Sequence, residues 1–144
     1  MTDEPHISIS LDRPSRQYAA DDELVARFEI SNLPAANITA IEASVLWHTE
    51  GTGEEDMSAH EFVRLLPGED ADGDLTRLQS LKTRLPRSPL SYNGKIVKIH
   101  WVVRVRVFVG KGRDLVEELE FELTPSGGRN SDMPAENGSG ASRG

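Results

Sequence analysis

Apolar residues fall on every second position in several separate stretches of this chain. Between residues 6 and 12, Ile7, Ile9 and Leu11 share one side, and Ser8 and Ser10 the other. A period of two is that of a strand, whose successive side chains point to opposite faces. Residues 23–31 repeat the pattern, with Leu24, Ala26, Phe28 and Ile30 against Glu23, Arg27 and Glu29. Residues 38–49 set Ile41, Ala43, Val45 and Trp47 against Glu42, Ser44 and His48. The strongest pattern lies at 95–109. Val97, Ile99, Trp101, Val103, Val105, Val107 and Val109 form one unbroken apolar side, with Lys98, His100, Arg104 and Arg106 on the other. A last strand places Leu115, Leu119, Phe121 and Leu123 opposite Glu118, Glu120 and Glu122.

The remaining segments are weaker. Residues 12–22, with Pro14 and paired aspartates, suit a loop or an irregular edge segment. Residues 50–73 are the least regular. Their two acidic, glycine-containing turns flank HEFVRLLP, which reads as a short strand, although SAHEFVRLL also fits two turns of helix. Residues 74–85 read as a strand of mediocre quality. About seven strands divided by polar turns predict an all-β chain, an antiparallel immunoglobulin-like sandwich, with a closed barrel as the alternative. Residues 1–5 are expected to be a flexible N-terminus and 6–124 one sandwich domain. Residues 125–144, rich in Gly, Ser and Asn, are expected to be a disordered tail, because they lack the apolar surface that offsets ordering entropy.

The final hairpin can be given a register. Core faces must match across a pair, and the apolar positions of both strands are odd-numbered, so paired numbers sum to an even value. A three-residue loop, Gly110-Lys111-Gly112, meets this condition by placing Val109 opposite Arg113, with Gly112 left-handed. Val103 then faces Leu119, Trp101 faces Phe121, Arg104 faces Glu118 and His100 faces Glu122. A two-residue loop would set valines against glutamates and is rejected.

Composition narrows the function. The chain has 144 residues and no cysteine, which excludes disulfides, thiolate metal sites and cysteine nucleophiles. This composition fits a reducing compartment, and a cytoplasmic location is expected. The opening MTDEPHISIS lacks the basic and apolar regions of a signal peptide. No apolar run approaches the ~18 residues needed to span a bilayer. The net charge of −8 argues against nucleic acid as a partner. Yet residues 77–113 hold ten Lys or Arg and no Asp or Glu, so this stretch is a candidate basic surface within an acidic chain. Arg104 and its neighbours can pair with the final acidic strand. Lys82, Arg84 and Arg87 have no such partner nearby in sequence, so they are the stronger candidates.

The approach to the long strand, LPRSPLSYNG at residues 85–94, is built as a corner. Its prolines stop the preceding strand and hold Leu85 and Ser88 extended, and Gly94 permits a sharp turn. Corner and strand together resemble the arrestin-like superfamily, on Leu85, Pro86, Pro89, Ser91, Tyr92, Gly94, Ile99, Trp101, Val103 and Val105. The upstream segment from Ile41 to Trp47 is compatible with that pattern. The resemblance covers roughly residues 5–124, the scale of one sandwich domain. It implies a non-enzymatic adaptor related to arrestin-domain adaptors, the arrestin-like retromer subunit and bacterial sporulation-control proteins. Most such proteins carry two tandem sandwiches, and this chain has room for one.

Motifs for chemistry are sparse. Asp70 to Asp74 resembles a calcium loop, but the positions that should be Gly and Glu are Leu75 and Leu81, so a solvated turn is expected. His6, His48, His60 and His100 show no metal-binding spacing, and Ser88 and Ser91 lack a nucleophile elbow. No cofactor, metal or catalytic residue is assigned. The expected function is a protein-binding adaptor or scaffold that uses a sheet edge or a basic surface. Lys82, Arg84, Arg87, Lys98, Arg104 and Arg106 are the candidate binding residues, and the partner is a protein with an acidic or phosphorylated segment. Peripheral membrane association is compatible with this surface. The alternative is a structural subunit of a larger protein assembly.

Overall fold

The computed structural model describes residues 4–53, 55–69 and 74–125. Nine strands form among them: β1 (His6–Leu11), β2 (Gln17–Ala19), β3 (Glu23–Ser31), β4 (Ala40–Gly51), β5 (Met57–Leu65), β6 (Gln79–Arg84), β7 (Tyr92–Asn93), β8 (Val97–Gly110) and β9 (Arg113–Thr124). The helical content of these residues is one 3-10 turn, Ala35–Asn37. The expected disordered tail lies, beyond Pro125, outside the described residues, as do Asp70 to Gly73 of the acidic turn.

Two sheets make the sandwich. The small one runs β1-β3-β6, and the large one runs β2-β9-β8-β4-β5 with β7 also on β8. All pairings are antiparallel except β2 with β9, which is parallel. The alternation read in the sequence sets the faces. Leu24, Ala26, Phe28 and Ile30 of β3, and Ile41, Ala43 and Val45 of β4, point inward and are buried. Trp101, Val103, Val105 and Val107 of β8 are all fully buried. Each such side chain contributes about 1.5–3 kcal/mol relative to exposure, so β8 is the energetic centre of the domain. Trp47, expected on the same inward face, packs half-buried at the margin of this core.

Nine strands replace the expected seven because two short ones escape a periodicity test. β2 and β7 hold three and two residues, too few to show alternation. β2 forms inside the segment expected to be irregular. Its Tyr18 is buried, and the phenol donates to Asp12 at 2.5 Å. Burial, and then that hydrogen bond, push the phenol well above the usual tyrosine range. The SAHEFVRLL segment is strand as far as Leu65, since Val63 and Leu65 pack on the core with a period of two. The mediocre segment 74–85 becomes a strand only from Gln79.

The hairpin register is as derived, but its loop is not. Trp101 pairs Phe121, Val103 pairs Leu119, Arg104 pairs Glu118 and Val107 pairs Leu115. The loop itself has two residues, Lys111 and Gly112, both with positive φ (56° and 73°), as a tight hairpin turn of this size favours. Parity is restored by a bulge. Phe108 pairs Asp114 and Gly110 pairs Arg113, so Val109 is the extra residue.

The corner at residues 85–94 carries the chain from the small sheet to the large one. The Trp101 indole N–H donates to the Pro89 carbonyl at 2.8 Å. The Ser91 amide donates to the Leu123 carbonyl at 2.9 Å, and the Leu123 amide donates back to the Ser91 hydroxyl at 2.8 Å. The corner is therefore tied to both β8 and β9.

Candidate functional site

Strand alternation sorts the six candidate cations onto two opposite outer surfaces. Lys82 and Arg84 lie on the exposed side of β6, where Leu81 and Thr83 point inward, and Arg87 follows in the corner. Lys98, Arg104 and Arg106 lie on the outer side of β8. The structure does not bring the six together into one patch.

Most of these charges are answered. Lys82 Nζ stands 3.8 Å from Glu23, and Arg87 Nε donates to Asp21 at 2.9 Å. Arg84 donates to the Asp21 backbone carbonyl at 2.9 Å. The three residues that had no partner near in sequence thus find their partners on the segment from Asp21 to Glu23, which the β3–β6 pairing brings alongside. On β8, Arg104 Nε donates to Glu118 at 2.6 Å, Arg106 lies 3.5 Å from Asp114, and Lys98 stands opposite Glu50 in the β4–β8 register. Exposed pairs of this kind contribute about 0.2–1 kcal/mol each, and they offset the field that an acidic ligand would otherwise feel.

Sequence reasoning missed a histidine cluster on the same outer face. β4 pairs β8 so that His48 stands opposite His100, and their rings stack with centroids 5.2 Å apart. His100 accordingly leaves its expected partner Glu122. Its Nδ1 contacts Glu120 and its Nε2 contacts Glu50, each at 2.7 Å. Carboxylates at both ring nitrogens favour the imidazolium, which can donate at both. The hydrogen bond to Glu120 is the main cause that raises the His100 pKa above its ordinary 6.5, and burial opposes it. The His100 hydrogen bond, followed by nearby Lys98, holds Glu50 below 4.5. Among the described residues, no group of three or more His, Asp or Glu is arranged to hold a metal ion.

These shifts give a pH dependence with a fixed sign. The raised His100 pKa adds stability that is fully present below about 6.5 and is lost as pH climbs through the higher folded value. The lowered Glu50 pKa adds stability present above about 4.5 and lost as pH falls through its lower folded value. The cluster therefore contributes most between about 4.5 and 6.5. Urea denaturation of a His100→Gln variant should show a smaller decline than wild type between pH 6 and pH 8. Equal slopes for both proteins would rule the contribution out.

Where the β8–β9 ladder ends, a cleft of ≈ 340 Å³ opens between Arg16, Tyr92, Asn93, His100 and Glu122. Ser15, Ser91 and Glu120 also line it.

The other feature that sequence reasoning only touched is the β5 edge of the large sheet. Phe62 is 52% exposed and Met57 59% exposed on its outer side. Val63 and Leu65 point inward, yet are only partly buried. A bulge interrupts the ladder to β4, since Val45 pairs Glu61 and Leu46 pairs Ala59. The skipped residue, His60, reaches to the Arg84 carbonyl at 2.8 Å. The Thr83 hydroxyl donates to Glu61 at 3.2 Å. Contacts with β6 therefore cover the edge near residues 60–61 and leave exposed portions at 57–59 and 62–65, of which the second carries inward apolar side chains packed on the core.

No protein-family model matches the chain, and no curated protein matches it. Among solved structures, it is similar to Spo0M, the sporulation control protein of Bacillus subtilis, with a TM-score of 0.54 and 10% sequence identity. The fold is arrestin-like. The match covers 85% of this chain and 50% of that one, so this arrestin-like sandwich spans about half the length of its structural neighbour. At that identity the likeness is one of fold alone. None of the described helices is long and apolar enough to cross a membrane.

Proposed function

We propose that this chain is a non-enzymatic adaptor or scaffold module that holds a protein partner at the free edge of its large sheet. The observation that carries this reading is β5. It ends the sheet with a backbone edge that no other described strand shares, exposed Phe62 and the incompletely covered Val63 and Leu65. An added strand would satisfy that backbone and cover those side chains, which is the usual physics of strand-addition recognition. The basic-surface alternative has less support, because its cations already have carboxylate or carbonyl partners on two separate faces.

Capture from native lysate distinguishes the two. A Phe62→Asp variant should lose at least about tenfold in retained partner, because it places a charge in the buried centre of the contact. A variant combining Lys82→Glu, Arg84→Glu and Arg87→Glu should retain it. The opposite pattern would move the site to the basic surface, and retention by both variants would reject both sites.

A further inference from the structure

The 62–65 portion of β5 also specifies what kind of segment it takes. Resting on the adaptor reading above, the geometry points to an extended segment of a partner protein with the pattern apolar-acidic-apolar-aromatic, added antiparallel to residues 62–65.

The pattern follows from four side chains in a row. Inner-facing Leu65 and Val63 call for apolar residues opposite them, which would extend the core they already touch. Outer-facing Phe62 calls for an aromatic or large apolar neighbour across the new pair. Arg64 can take a second carboxylate beside Glu42. Its side chain is 50% exposed, and one nitrogen, Nη1, bonds Glu42 on the β4 side. Its guanidinium also lies over the Phe108 ring, 5.7 Å from the centroid. A guanidinium has five N–H donors, so others remain for an acceptor on the side away from β4. In an antiparallel strand, the residues opposite Leu65, Arg64, Val63 and Phe62 occur in that order from N to C, which gives the stated pattern. Antiparallel addition continues the β8–β4–β5 arrangement.

A second copy of this chain fits less well. The outward residues of β5 paired with the outer face of β4 are Met57, Ala59, Phe62 and Arg64, and none is acidic. Pairing β5 with itself would leave Arg64 without a new carboxylate.

The test uses the full chain and short fluorescein-labelled peptides carrying Val-Glu-Val-Phe or Val-Lys-Val-Phe, read by fluorescence anisotropy. Wild type should bind the Glu peptide about tenfold more tightly than the Lys peptide, since repulsion replaces attraction at one cross-strand pair. Arg64→Glu should invert the preference, Arg64→Gln should abolish it, and Phe62→Ser should weaken both peptides. Thermal melts establish that each variant is folded. Equal binding of both peptides by wild type, with no inversion in Arg64→Glu, would overturn the acidic pattern and leave the adaptor reading standing. Failure of wild type to bind either peptide would overturn both. A concentration-dependent dimer that Phe62→Ser dissolves would assign the edge to a second copy and overturn the proposal.

Discussion

Replacing Trp101 with alanine is expected to remove about 3–5 kcal/mol of stability, the range for deleting a buried aromatic from a packed core. For a domain whose total is about 5–15 kcal/mol, this approaches global unfolding. Trp101 is fully buried at the centre of β8 and packs against Phe121 at 5.8 Å and edge-on against His60 at 6.2 Å. Its indole also holds the Pro89 carbonyl. Packing and hydrogen bond can be separated. Trp101→Phe keeps a ring but leaves that carbonyl without its donor, and should cost about 1–3 kcal/mol. Urea denaturation followed by circular dichroism measures both variants. Equal losses in the two would mean that the bond to the corner, rather than core volume, is what Trp101 supplies.

Gly51→Ala is expected to be the most damaging change outside the core, at about 3 kcal/mol or more. Gly51 closes the β4–β8 ladder opposite Val97 with φ of 153°. A Cβ there would stand 2.2 Å from the Ile96 carbonyl oxygen and 3.0 Å from the Val97 Cα. Both are backbone atoms, so relief requires the two strands to part. Gly68→Ala serves as the control, because a Cβ at that position meets nothing within 4 Å. The Gly51 variant should melt well below wild type and the Gly68 variant close to it. Similar melting temperatures for the two would show that the start of β8 yields without cost.

The parts of this fold that were legible in the sequence are those governed by local alternation. The inward faces of β3, β4 and β8 follow from the period of two, and so does the pairing of Arg104 with Glu118. The hairpin shows both the strength and the limit of that argument. Parity fixed the register correctly, but a bulge at Val109 met the same condition as a longer loop would have met. What stayed hidden depended on which strands are neighbours. Asp21 and Arg87 are far apart along the chain and become partners only through β3–β6 pairing. His48 meets His100 only because β4 lies beside β8. The counter-charges of the candidate basic surface stayed hidden for this reason, since a run of like charge in sequence says nothing about the partners that folding delivers. The β5 edge was under-read because its bulge at His60 breaks the alternation in the middle of the strand.

The parallel pairing of β2 with β9 has a consequence for the order of events during synthesis. Gln17 lies beside Glu122 and Ala19 beside Thr124. A strand from the first part of the domain therefore waits, as the chain leaves the ribosome, for the last strand to emerge. Until then β8 lacks one of its two long neighbours, and the apolar side of the central strand has no complete sheet around it. Non-local pairings of this kind delay folding and leave apolar surface open in the interval. The large sheet thus cannot close before β9 has been made, and the partly made chain is the form that leaves most of this apolar surface open.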